Sequence, residues 1–176
     1  IAKSGAKPKR TILFIGFAGE EFGLLGAQAW VKAHKDKLPK IANLFNRDGG
    51  PEPPVGISVP QAMYDDFVKI SEPIQKIRPD YPFEVKVREP RKRPTRMGGT
   101  DASVFAIEGV PTLGFTTEDF KGYDFDYGEI WHTERDLYTK NIPEYQEHTA
   151  TVTAIIALGV ANLDKQLSRE GLYTEE

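Results

Sequence analysis

The stretch RTILFIGFAGEEFGLLGAQAWV, Arg10 to Val31, decides the fold. Its first part, TILFIGF (Thr11 to Phe17), is short, β-branched and aromatic, with glycine close behind, and reads as a fully buried strand. From Gly23 to about Lys35, Leu24, Leu25, Gln28 and Val31 fall near a 3.6-residue period and predict a helix. Between strand and helix stand two adjacent glutamates, Glu20 and Glu21. Successive side chains at a strand end point in different directions. Two neighbouring carboxylates there can serve two different jobs.

Working outward, IANLFN (Ile41 to Asn46) reads as a second strand, stopped by Gly49, Gly50 and Pro51. VGISV (Val55 to Val59), FEVKV (Phe83 to Val87) and VPTLGF (Val110 to Phe115) read as further strands. Met63, Phe67, Ile70, Ile74 and Ile77 step by four and three, which predicts a helix with one apolar face, bent or broken at Pro73. The final helix begins at Asn141-Ile-Pro-Glu144, which resembles an N-cap with a capping-box acid and proline in the first turn. Tyr145, Thr149, Val152, Ile156, Val160 and Leu163 then line one side. Strands alternating with helices predict a three-layer α/β/α architecture with a mostly parallel, mixed central sheet. No linker divides the chain, so residues 1–176 read as one domain. The opening IAKSGAKPKR looks like the tail of a helix and a loop ending at Gly5 and Pro8, with an upstream segment expected before it.

Composition narrows the function. The 176 residues carry a net charge of −3 and no cysteine. There is no overall positive field to draw the chain to nucleic acid or anionic membrane. No apolar run approaches the roughly 18 residues of a membrane span. Disulfides and thiolate metal sites are excluded, so any metal must be held by carboxylate and imidazole. The basic run KVREPRKRPTR (Lys86 to Arg96) lacks interleaved aromatics and reads as a solvated loop.

Three loops that follow expected strands carry the chemistry: Gly19-Glu20-Glu21, Asn46-Arg47-Asp48-Gly49-Gly50 and Trp131-His132-Thr133. In open α/β sheets, ligands bind beyond the carboxyl ends of strands. The loops together offer Glu, Asp and His, the oxygen and nitrogen ligands that zinc accepts. Each motif also has a plainer reading. Adjacent glutamates complement a helix dipole, Asp48 beside two glycines suits a turn, and His132 suits a buried histidine. His34 and His148, on expected helices away from these loops, read as structural or solvated.

Taken together, RTILFIGFAGEEFGLLGAQAWV, NRDGG, GGTDASVF and WHTERDLYTKNIPEY resemble the co-catalytic di-zinc exopeptidases, from about Lys9 to Asp164. That family includes bacterial leucyl aminopeptidases and carboxypeptidase Q, with glutaminyl cyclases as relatives. The resemblance implies the C-terminal part of a metallopeptidase catalytic domain that hydrolyses terminal peptide bonds with two zinc ions, in a secreted or periplasmic protein. Glu20 would be the general base that deprotonates the attacking water. Glu21 and His132 would ligate one zinc and Asp48 the second. The family also needs a second His and a bridging Asp, both upstream of the paired glutamates. Residues 1–18 contain no His, Asp or Glu. The expectation is that an N-terminal or companion segment supplies these ligands and that this chain alone is incomplete and inactive. Where many relatives have His after the Asp of GGTDASVF, this chain has Ala102. Two alternatives stay open: a glutaminyl-cyclase-like acyltransferase, and a non-catalytic binding domain of the same fold.

Overall fold

A computed structural model describes residues 1–174. Its sheet has three strands, β1 (Pro54–Val59), β2 (Glu84–Val87) and β3 (Phe115–Thr117), in the order β2-β1-β3. β2 runs parallel to β1 and β3 antiparallel, so the sheet is mixed. Between β1 and β2 the chain passes through α2 (Tyr64–Ile77), the crossover helix that parallel neighbours require. The remaining helices are α1 (Leu25–Ala33), α3 (Ala102–Ile107), α4 (Tyr127–Ile130) and α5 (Pro143–Asn162). Gly56 is central to the ladder: a Cβ there would lie 2.5 Å from the Glu84 carbonyl oxygen.

Two apolar clusters flank this layer. In the first, Ile57 and Val59 of β1 meet Phe67, Ile70 and Ile74 of α2 and Val152, Ile156 and Val160 of α5. The four-and-three stepping of α2 thus turns one face inward, while Ile77 at its end is exposed. In the second, Ala27 and Val31 of α1 pack on Val104 and Phe105 of α3. Segment 41–46 sends Ala42 and Phe45 to the first cluster and Ile41 and Leu44 to the second, so it lies between two helical layers. The α/β architecture read from the sequence is the one observed.

The strand assignments differ in three places. Thr11–Phe17 is extended but belongs to no ladder, and Phe14 is 81% exposed. Ile41–Asn46 and most of Val110–Phe115 are also extended without a ladder. These two are tied by single bonds: Leu44 N–H to the Pro111 carbonyl, and a two-way pair between the Asn43 amide and the backbone of Leu113. β-branched and aromatic composition makes a segment able to join a sheet, but burial needs neighbours. Among the described residues, no backbone hydrogen bond reaches segment 11–17. The N-cap of α5 also shifts. Ile142 holds that position with no side-chain cap bond, so Asn141 does not cap. Glu144 accepts instead from Lys121, Tyr81 and Tyr123.

Guanidinium groups fasten the loops. Arg169 donates to the carbonyls of Leu38, Pro39, Ile41 and Gly109. In the basic run, Arg93 bonds the Ile107 carbonyl, Arg91 bonds Thr112 Oγ1, and Arg88 bonds the carbonyls of Glu89 and Leu172. Much of that run therefore binds the chain's own backbone.

Candidate active site

Glu20 and Glu21 sit in a turn set by close backbone packing. The Glu20 carbonyl accepts from the N–H groups of Gly23 and Leu24 at 2.9 and 2.8 Å. Gly26, in the first turn of α1, donates its N–H to the Ala18 carbonyl at 2.8 Å. A Cβ on Gly26 would lie 2.6 Å from that same oxygen, so only glycine lets the helix seat against the turn. Asp48 lies in the loop 47–52, where the Arg47 guanidinium donates to the carbonyls of Gly50 and Glu52.

His132 follows α4. Asp126 caps that helix by accepting from the Gly128 N–H at 2.8 Å, and Thr133 Oγ1 donates back to the Glu129 carbonyl at 2.8 Å. His132 itself has φ +56°, the left-handed region that a non-glycine residue rarely adopts. Such strain persists only where the surroundings fix it, and it concentrates at functional sites. His132 Nε2 is 3.3 Å from Glu21 Oε2.

These elements meet at one cavity of about 1180 Å³, whose lining includes Glu20, Glu21, Asp48 and His132. The proton affinity of Glu20 is raised above the usual carboxylate range, first by desolvation, then by the negative charges of Asp48, Glu21 and Asp101; His132 opposes the shift. Asp101, which precedes α3, is buried with Oδ1 unpartnered. Burial raises its proton affinity too, with Asp48 adding to the effect. A carboxylate that holds protons more readily than usual, set in a cleft, is a candidate for proton transfer.

The donor set can be tested against zinc. Two ligands about 2.0–2.2 Å from a tetrahedral ion lie about 3.4 Å apart. The Glu21–His132 separation of 3.3 Å fits one edge of such a shell. Among the described residues, no three His, Cys, Asp or Glu side chains are grouped closely enough to hold an ion by themselves. The pair fits zinc as part of a larger ligand set, with Asp48 on the same cavity.

Beside the four expected residues, Tyr127, Trp131, Tyr138 and Asn141 also line the cavity. Trp131 belongs to the loop expected from the sequence to carry chemistry; Tyr127, Tyr138 and Asn141 carry no site expectation, and the run of aromatic residues in segment 123–141 is the signal that points to them. His34 bonds the Trp30 carbonyl and His148 the Pro54 carbonyl, both within the scaffold.

Paired carboxylates and an imidazole thus line one cavity of an α/β layer structure. The model of Peptidase family M28 matches residues 1–156, and the chain belongs to that family. Carboxypeptidase Q of Mus musculus is 24% identical over 170 residues, covering 94% of this chain and 32% of the relative. A probable zinc metalloprotease of Pyrenophora tritici-repentis is 50% identical over 42 residues, 24% of this chain and 10% of that protein. Among solved structures, a peptidase M28 precursor from Shewanella amazonensis SB2B superposes with a TM-score of 0.69 at 25% identity, covering 93% of this chain and 34% of that one. The chain thus spans about a third of the length of the curated relatives it matches.

Proposed function

We propose that the chain is the C-terminal part of the catalytic domain of a zinc-dependent exopeptidase that hydrolyses terminal peptide bonds. The observation that carries this reading is the Glu21–His132 pair at 3.3 Å, on a cavity shared with Glu20 and Asp48. Glu21 and His132 would hold one zinc and Asp48 the second, with an Asp and a second His from outside this chain as the further ligands. Zinc held there would polarise the scissile carbonyl and ease deprotonation of water. Glu20 takes the proton from the attacking water as its oxygen bonds to the carbonyl carbon. It then gives that proton to the amine as the C–N bond breaks. The resemblance to the family supports a secreted or periplasmic protein. Among the described residues, no helix is long and apolar enough to cross a membrane.

Adjacent positions should give distinct signatures in the complete protein. Glu20→Gln keeps size and hydrogen-bonding capacity but removes the base. It should cost about 10²-fold or more in kcat while leaving zinc content nearly intact. Glu21→Gln should lower zinc content along with activity. The 176-residue chain alone should bind zinc weakly and hydrolyse nothing, since its two carboxylates and one imidazole are shared between two ions. Wild-type turnover in both variants would remove these roles. Cyclisation of N-terminal glutamine without peptide hydrolysis would favour the acyltransferase alternative, and neither reaction would favour the binding domain.

A further inference from the structure

We propose that Arg47 is the positioning residue of the Asp48 loop: by holding residues 48–51 to the anchored Glu52, its guanidinium sets the affinity for the zinc that Asp48 would hold. The inference rests on the zinc-peptidase reading above and deepens it. Asp48 is followed by Gly49 and Gly50, and glycine has the widest backbone freedom of any residue. A Cβ on Gly49 would meet nothing within 4 Å, so packing does not confine the chain there. Among the described residues, segment 48–51 takes part in no backbone–backbone hydrogen bond. What it receives instead comes from Arg47, whose Nη2 donates to the Gly50 carbonyl and, at 2.8 Å, to the Glu52 carbonyl. The guanidinium thus bonds carbonyls and not the Asp48 carboxylate, which stays free for a metal.

The partners of this clamp are themselves fixed. Glu52 Oε2 accepts from Thr117 Oγ1 of β3 at 3.1 Å, and the next carbonyl, of Pro53, accepts from the Glu118 N–H at 3.3 Å. Gly50 lies against the segment that leads to His132: a Cβ there would sit 2.6 Å from the Phe125 ring and 3.1 Å from Tyr127. Tyr127 opens α4, which His132 follows. Arg47 therefore ties the Asp48 loop both to the sheet and to the element that carries His132. Charge gives the proposal its sign. A guanidinium beside the loop repels a zinc ion. Removing it would tighten zinc by charge alone, whereas removing a group that orients a ligand loosens it. Groups that orient a metal ligand are worth about 10–100-fold in metal affinity.

The test titrates zinc into the complete protein against a competing chelator. Asp48→Asn shows which of the two dissociation constants belongs to the Asp48 zinc. Arg47→Met, which keeps an apolar stem, should raise that constant by about tenfold or more and leave the other within about twofold. Gly50→Ala, which alters no charge, should raise the same constant. A second measurement needs no metal. In the zinc-free protein, a protease that cleaves before aspartate should cut the 47–48 bond about fivefold or more faster in Arg47→Met, after correction by free peptides of residues 44–52. Cleavage at the other aspartates should stay as in the parent, which separates a loosened loop from a general loss of structure. If Arg47→Met does not fold, Arg47→Gln, also neutral and too short to span both carbonyls, should give the same two changes. An unchanged or tighter Asp48 zinc would overturn the proposal, as would cleavage of the 47–48 bond at the parent's rate. A parent that binds no zinc, with the loop still loosened in Arg47→Met, would sink the zinc-peptidase reading and leave the fastening by Arg47 standing.

Discussion

The His148 imidazole is fully buried, stacked on Tyr81 at 3.9 Å, with Nε2 3.1 Å from the Pro54 carbonyl and Nδ1 unpartnered. Its proton affinity falls below the ordinary histidine value, first by burial; Arg78 and Lys121 add to the fall, while the Pro54 bond and Asp80 oppose it. The folded state therefore binds this proton less readily than the unfolded state. The stability His148 contributes is present above the unfolded value near 6.5 and is lost as pH falls through it toward the folded value. Each pH unit in that window costs at most about 1.4 kcal/mol. His148→Gln keeps a donor for Pro54 but cannot titrate. Its Tm should fall less steeply between about pH 7 and pH 5 than that of the parent, as read by differential scanning calorimetry. Parallel slopes would show that His148 does not titrate in this range. Residues of this kind were only half legible. Glu20, Glu21, Asp48 and His132 stand out because each follows a strand-like run. The fate of His148 and Asn141 depends on atoms brought in from distant segments.

At the scale of elements, α2, α5 and β1 were legible because their spacing encodes one buried face. Gly159 shows where local preference and packing disagree. Glycine inside a helix is disfavoured by about 1 kcal/mol relative to alanine. Yet a Cβ at Gly159 would meet Ile70 Cγ2 closer than any real contact and lie 3.1 Å from Ile70 Cβ. Ile70 is itself buried between α2 and α5. Overpacking of this kind costs about 1–3 kcal/mol, which outweighs the gain in propensity. Gly159→Ala should therefore lower the urea midpoint, whereas helix propensity alone would raise it. A raised midpoint would mean that the two helices separate without penalty.

At the scale of the whole molecule, what the sequence hid was partnership. TILFIGF reads as strand because its side chains suit a sheet, but a ladder is a property of two segments. Phe14 gives the difference a measurable form. Truncating a buried phenylalanine costs about 3–5 kcal/mol, while exposed positions change stability by about 0.5 kcal/mol or less. In this 176-residue chain, Phe14→Ser should leave the unfolding free energy within the smaller range. In the complete protein, if a companion strand covers this segment, the same substitution should approach the larger one. A large loss in the isolated chain would show that Phe14 is already covered there.

The fastening of backbone carbonyls by Arg169, Arg88 and Arg93 carries its own consequence for the molecule. Ion pairs on a surface weaken as salt screens them, and carboxylate partners are lost on protonation. A backbone carbonyl carries no charge to neutralise, and a guanidinium keeps its proton throughout the range in which proteins live. The bonds from Arg169 to segments 38–41 and to Gly109 therefore hold equally in dilute buffer and in brine. Loops tied in this way keep their fastening across a range of ionic strengths that would loosen surface ion pairs.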